Sequence, residues 1–124
     1  MQARVKFAFV LLVAAGVIAT GGAALGVPHA PTSVTLKSPE PNVFKGRVSS
    51  PKTRCVPNRT VKLFQRRLDR TVALISRGVS DKRGIWRIEL AGELTGKFFA
   101  KAKFRQVGSF LCKGGRSTAI HVRP

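Results

Sequence analysis

Hydrophobic and polar residues alternate in short runs across residues 43–122, and turn-forming residues separate the runs. Alternation with a period of two is typical of strands that bury one face. No stretch of this region shows a sustained helical period. The pattern therefore predicts an antiparallel β-domain with strands at about 43–49, 60–67, 71–79, 85–91, 97–105 and 117–122.

The same alternation assigns the residues of each predicted strand to an inner or an outer face. We expect the inner face to be apolar and to contain Phe44, Gly46, Val48, Val61, Leu63, Trp86, Ile88, Leu90, Phe98, Ala100, Ala102 and Phe104. We expect the outer face to contain Lys45, Arg47, Lys62, Arg66, Arg87, Glu89, Phe99, Lys101, Lys103 and Arg105. The predicted core is ordinary in composition, whereas the predicted outer surface is cationic.

The stretch SDKRGIW, residues 80–86, predicts a turn followed by a strand. An aspartate can accept hydrogen bonds from nearby backbone N–H groups, and a glycine tolerates a left-handed conformation. We therefore interpret Asp81 and Gly84 as turn residues and Trp86 as a core residue. A catalytic role for Asp81 is the less favoured interpretation.

The first 26 residues have the layout of a secretory signal peptide. Arg4 and Lys6 precede an apolar run at 7–19, and small residues follow as far as Gly26. We expect a signal-peptide helix that is cleaved after Gly26, so that the protein is secreted. The alternative is an uncleaved N-terminal membrane anchor with the domain outside, because residues 7–36 contain no charged side chain.

Residues 27–42 contain four prolines and predict a linker, in which SVTLK at 33–37 could add one edge strand. We expect residues 43–124 to form a single small domain.

The chain has 23 basic and five acidic residues and a formal net charge of +18. Arg4 and Lys6 are the only charged residues of the predicted signal peptide, so the remaining chain has a formal charge of +16. A charge of this size steers polyanions toward the protein, and its self-repulsion opposes compaction.

Cys55 and Cys112 are the only cysteines, and two cysteines in an exported domain predict one disulfide bond. A bridge across so long a loop would stabilise the fold by roughly 4 kcal/mol. The alternatives are two free thiols, or a metal site that also uses His29 and His121. No pair of these four residues has the spacing of a zinc finger.

Four short motifs resemble those of the carboxypeptidase-regulatory-like family. They are FKGRV (44–48), CVPNRTVKLF (55–64), SDKRGIW (80–86) and TGKFFAKAK (95–103). The matching positions are Gly46, Val61, Leu63, Asp81, Gly84, Trp86, Gly96 and Phe98. The cysteines resemble those of small secreted bacterial members. The resemblance implies a transthyretin-like (prealbumin-like) or immunoglobulin-like antiparallel sandwich of seven strands. It also implies a non-catalytic module for adhesion, for folding, or for binding carbohydrate or protein.

The motifs that enzymes need are not found in this sequence. His29 lies in the predicted linker and His121 lies next to the C-terminus, and five carboxylates give little support for a paired-acid mechanism. Glu89 and Glu93 are interpreted as surface residues. KGGR, residues 113–116, lacks the strand-to-helix context of a phosphate-binding loop. We therefore expect a protein without catalytic activity, cofactor or metal.

The cationic surface is the remaining functional feature. We expect a monomeric, secreted module that binds an anionic cell-envelope or extracellular polymer, with Arg87, Lys101, Lys103 and Arg105 in the patch. The alternatives are a structural or adhesive module without a specific ligand, binding of extracellular nucleic acid, and attraction to lipid headgroups. The alternation of lysine and phenylalanine at 97–104 resembles that of surfaces on which the bases of single-stranded nucleic acid stack. Strand alternation alone also produces such a pattern. NRT, residues 58–60, is a glycosylation sequon that we expect to be unused.

Overall fold

The computed structural model describes residues 26–124, which form β-strands with one 3-10 turn at Thr53–Cys55. There are twelve strands in this part of the chain: β1 (His29–Ala30), β2 (Ser33–Val34), β3 (Lys37–Glu40), β4 (Val43–Ser49), β5 (Thr60–Arg66), β6 (Val72–Val79), β7 (Ile85–Glu89), β8 (Gly96–Ala102), β9 (Arg105–Val107), β10 (Phe110–Cys112), β11 (Gly115–Arg116) and β12 (Ile120–Val122). The all-β prediction is confirmed. The structure has more strands than the seven that the resemblance implies, because several are only two or three residues long.

Two antiparallel sheets form the sandwich. In the five-stranded sheet, β8 is central and pairs with β5 on one edge and with the short β11 and β12 on the other, while β6 pairs with β5. In the four-stranded sheet, β4 is central and pairs with β7, β2 and β3. A third, small sheet contains β9, β10 and β1, and its β10–β1 pair is parallel.

The core lies between the five-stranded and the four-stranded sheets. Its buried side chains include Val34, Phe44, Val48, Trp86 and Ile88 from one sheet and Val61, Leu63, Phe98, Ala100, Ala102 and Val122 from the other. The rings of Phe44 and Phe98 have centroids 4.8 Å apart across this core. Most side chains that alternation assigned to the inner face are therefore in the core.

Phe104 is an exception to the predicted alternation. Strand β8 ends at Ala102, so the period of two does not extend to residue 104, and Phe104 is 58% exposed. The chain then forms a hairpin from β9 and β10 that the sequence pattern did not predict. The predicted strand at 117–122 is shortened to Ile120–Val122. Before it, Ser117 donates its backbone N–H to the Ala100 carbonyl oxygen and accepts a hydrogen bond from the Ala100 N–H through its hydroxyl group.

The proline-rich segment at residues 27–42 is part of the sandwich and does not stand apart as a linker. Strands β1, β2 and β3 lie in it, and each pairs with a strand of the domain. Gly46 shows how closely the segment approaches β4, since a Cβ atom there would lie 1.8 Å from the carbonyl oxygen of Thr35. Extended backbone with free N–H groups between the prolines explains how the segment can pair.

The predicted disulfide between Cys55 and Cys112 is confirmed. Both cysteines are fully buried, and they pack with Ala30, Val107 and Phe110 in a second small core. The bond joins the 3-10 turn after β4 to the end of β10. A disulfide is characteristic of proteins that fold in an oxidising or extracellular environment.

The predicted signal peptide at residues 1–26 falls almost entirely outside the described residues. Within residues 26–124, no helix is long and apolar enough to cross a membrane.

Candidate functional site

A row of four basic side chains crosses the outer face of the five-stranded sheet. Arg77 of β6 lies opposite Lys62 of β5, Lys62 opposite Lys101 of β8, and Lys101 opposite Arg116 of β11. Neighbouring strands are about 4.8 Å apart, so the row is roughly 14 Å long. Like charges directly opposite each other in a sheet are destabilising. The row therefore places four cations side by side at a cost to the stability of the fold.

An aromatic row lies beside this first row on the same face. Phe64 stacks on Phe99 with ring centroids 5.3 Å apart and an angle of 17° between the planes. The guanidinium of Arg116 lies 4.1 Å from the centroid of Phe99, and that of Arg66 lies 5.5 Å from it. Phe99 is consequently only 4% exposed although it points away from the core. Two guanidinium groups thus pack against the aromatic pair, an arrangement that cation–π attraction favours.

A second basic row completes the face. Arg66 lies opposite Lys97, and Lys97 lies opposite His121 of β12. We call this surface the cationic face and define it by Lys62, Arg66, Arg77, Lys97, Lys101, Arg116 and His121 together with the aromatic pair. Lys103 lies at its margin, just beyond the end of β8.

None of the five carboxylates of the chain lies on a strand of the cationic face. Glu40 and Glu89 are on β3 and β7 of the other sheet, and Asp69, Asp81 and Glu93 are in turns. The one ion pair in the described part of the chain joins Arg87 to Glu89 at 3.8 Å, and both side chains are more than half exposed. The charges of the cationic face are thus not neutralised by carboxylates of its own strands.

The four residues predicted as one basic patch do not form one patch. Lys101 is on the cationic face and Lys103 at its margin. Arg87 lies on the outer face of the four-stranded sheet, opposite Lys45 and beside Glu89. Arg105 donates hydrogen bonds to the carbonyl oxygens of Pro57 and Asn58 at 3.1 and 3.0 Å, and it is half-buried. Alternation identified Arg87 and Lys101 as outward residues, but it contains no information about which sheet each strand joins.

Sequence reasoning missed Arg59, which is completely buried. Its guanidinium donates hydrogen bonds to the carbonyl oxygens of Cys55, Lys103 and Lys113 at 2.7–2.8 Å and to the hydroxyl of Thr32 at 2.9 Å. Four separate segments of the chain therefore meet at this one side chain. Burial lowers the pKa of Arg59, and the nearby charge of Arg105 lowers that pKa further.

One signal in the sequence could have identified Arg59. It has the same parity as Val61 and Leu63, which point into the core from β5. The alternation therefore continues inward to residue 59. Arginine is almost never fully buried unless it is paired, so the residue type argued against the inward position that the alternation indicates.

The predicted turn residues lie next to the start of β7. The Asp81 carboxylate accepts hydrogen bonds from the backbone N–H groups of Arg83 and Ile85 at 2.8 and 2.9 Å. The bond from Ile85, followed by that from Arg83, lowers the pKa of Asp81. Gly84 has a φ of +84°, and a Cβ atom there would lie 2.1 Å from the Val48 carbonyl oxygen. Trp86 is 1% exposed in the core.

Residues 26–124 contain no group of three or more histidine, cysteine, aspartate or glutamate side chains that could hold a metal ion. His29 lies in the small third sheet, whereas His121 lies on the cationic face.

Comparisons with known proteins give a limited result. No family model matches the chain, and no curated protein matches it. Among solved structures, the chain is similar to a tetra-tandem repeat in the extending region of a large adhesion protein, with a TM-score of 0.46 and 10% sequence identity. The match covers 76% of this chain and 24% of the other chain. A score of this size supports no statement about function.

Proposed function

We propose that this protein is a secreted, non-catalytic module that binds an anionic extracellular or cell-envelope polymer through the cationic face. The observation that supports this proposal is the row of Arg77, Lys62, Lys101 and Arg116, which no carboxylate of the same face neutralises. An anionic polymer that lies along the row supplies the missing counter-charges.

The energetics of the row support a role in binding. Repulsion between opposite like charges in a sheet opposes folding, whereas a bound polyanion removes that repulsion. The bound polymer also releases its own counterions when basic side chains neutralise it. Both effects favour the complex, and both decrease as salt increases.

The contrast between the two outer faces supports the choice of surface. The four-stranded sheet also has a cationic row, with Lys37 opposite Lys45 and Lys45 opposite Arg87. Glu40 and Glu89 lie on the strands of that sheet, and Glu89 pairs with Arg87. The second row is shorter and partly neutralised, so we assign binding to the five-stranded sheet.

Secretion and family membership are part of the same proposal. The disulfide supports an oxidising compartment, and the N-terminal pattern of residues 1–26 supports export. The motifs at 44–48, 55–64, 80–86 and 95–103 support membership of the carboxypeptidase-regulatory-like family.

The test compares two double variants with the same change in net charge. Lys101→Glu/Lys103→Glu alters the cationic face and its margin, whereas Lys37→Glu/Lys45→Glu alters the outer face of the other sheet. Binding of each purified variant to dextran sulfate is measured by calorimetry at several salt concentrations. Each lost contact with a polyanion reduces the slope of log affinity against log salt by about 0.7–0.9.

We expect the first variant to lose affinity and to show a smaller salt slope, while the second variant stays close to the wild type. Equal losses in both variants would mean that net charge alone attracts the polymer. Binding that neither variant weakens would reject the cationic face as the site. In that case the charge would serve a structural or adhesive module without a specific ligand.

A further inference from the structure

A cavity of about 390 Å³ lies at the margin of the cationic face. Three lysines line it, namely Lys62, Lys101 and Lys103, and two aromatic residues, Phe64 and Phe104, line it with them. The volume is at the lower end of the range of about 300–1,000 Å³ that is usual for small-molecule sites. The cavity therefore has room for one ring-sized unit of a polymer.

Phe104 is the aromatic residue of this region with an open ring. Phe99 is covered by Arg116 and by Phe64, so its face is closed to a ligand. Phe104 is 58% exposed because it follows the end of β8. An aromatic ring that is exposed in a cavity provides a flat apolar surface on which a ligand ring can stack.

The ammonium groups around the cavity have no carboxylate partner. The Lys101 ammonium lies 5.8 Å from the centroid of the Phe64 ring, which places charge directly beside the apolar wall. No Asp or Glu lines the cavity. A unit that fits must therefore combine a stacking surface with negative charge on or next to the ring.

We propose that this cavity binds one acidic sugar residue of a polysaccharide, with the apolar face of the sugar ring on Phe104 and its acidic group among the three lysines. This inference rests on the proposed function, because it identifies the class of polymer that the cationic face binds. The remaining cations of the row, Arg77 and Arg116, bind the acidic groups of adjoining sugars.

The position of the charge favours an acidic sugar over a nucleotide. In a nucleotide the ring that stacks is the uncharged base, and the charge belongs to the phosphate backbone at a distance from it. Three ammonium groups around one cavity would surround that base without a counter-charge. Proteins that stack single strands also use several aromatic side chains for successive bases. A polyphosphate chain provides charge without a ring and leaves Phe104 exposed to water.

The experiment measures binding of the purified protein to polygalacturonate, inorganic polyphosphate and single-stranded DNA, matched in number of charges, from 0.05 to 0.5 M salt. Polygalacturonate has a carboxylate on every ring, polyphosphate has no ring, and the DNA has its charge away from the stacking ring. We compare the wild type with Phe104→Ala, with Phe104→Trp and with Leu68→Ala. Leu68 is a fully exposed apolar residue outside the cavity and provides the matched control.

We expect all three polymers to bind at low salt and polygalacturonate alone to stay bound at 0.3 M. Phe104→Ala should weaken polygalacturonate binding about tenfold and leave polyphosphate binding unchanged, because the variant removes the stacking surface and none of the charge. Phe104→Trp should retain the affinity, and Leu68→Ala should have no effect.

Failure of the inference can be distinguished from failure of the proposed function. Binding of all three polymers with no dependence on Phe104 would overturn the sugar site and leave polyanion binding intact. If single-stranded DNA, and not polygalacturonate, stayed bound at 0.3 M salt, that result would also overturn the sugar site. Absence of binding to every polymer at low salt would overturn both.

Discussion

Replacement of Lys62 by glutamate tests whether the cationic row strains the fold. Lys62 lies between two cations, Arg77 on β6 and Lys101 on β8, and it is directly opposite both. Lys62→Glu converts two repulsive cross-strand pairs into two attractive ones. We therefore expect this charge reversal to stabilise the protein, although it removes a residue proposed to bind ligand.

The expected gain follows from the geometry of the pairs. An opposite-charge pair across two strands contributes roughly 0.2–1 kcal/mol, and a like-charge pair is destabilising. Exposed pairs fall at the low end of such values. Two converted pairs therefore give a gain of about 1 kcal/mol at low salt. For a domain of this size, that gain raises Tm by about 4–8 °C.

Thermal unfolding followed by circular dichroism, in 10 mM and in 1 M sodium chloride, measures this gain. Screening at 1 M salt acts over about 3 Å, so we expect most of the gain to vanish there. Lys62→Gln removes the repulsion without adding attraction and should give about half the shift. A Tm that is unchanged or lower at 10 mM salt would refute the reasoning, as would a gain that persists in 1 M salt.

Three further predictions concern the fold that supports the face. Arg59→Ala leaves four oxygens without their donor, and it should lower the free energy of unfolding by about 4 kcal/mol in urea titrations, with partial recovery in Arg59→Lys. If the urea concentration at the midpoint of unfolding did not fall in Arg59→Ala, the stabilising role of Arg59 would be contradicted. Cys55→Ser/Cys112→Ser removes a bond between residues 57 positions apart and should cost about 4 kcal/mol by the same assay, and no loss would indicate that the bond constrains little. Asp81→Asn should lower Tm at pH 6, because the carboxylate with its lowered pKa contributes its stability above the unfolded pKa of about 3.9. That difference should disappear as pH falls through the folded pKa, and a difference that grows toward low pH would refute the assignment.

Much of the fold could be predicted from the sequence. Five long strands lie within a few residues of their predicted bounds, and the inner faces of β4, β5, β7 and β8 form the core. These features depend on alternation within one strand, which is a local property of the chain. The pairing of Cys55 with Cys112 could also be predicted, because the chain has no other cysteine. Where local pairing was interrupted, as at Phe104 and at residues 117–122, the predictions were wrong.

The candidate site depended on features that no local pattern contains. The row of Arg77, Lys62, Lys101 and Arg116 exists because the consecutive strands β5 and β6 lie beside β8 and β11, from a later part of the chain, in one register. Arg87 is outward by the same alternation, but its strand joins the other sheet.

The sequence by itself determined the cationic charge, the strand faces and the disulfide, because these follow from composition and from contacts within a strand. The tertiary structure alone decided which cations share a surface, why Phe99 is covered while Phe104 is open, and why an arginine without a carboxylate partner is buried. The physical reason is that strand order and register are set by the packing of the whole core. Two residues that look equivalent in the sequence can therefore lie on opposite sides of the sandwich.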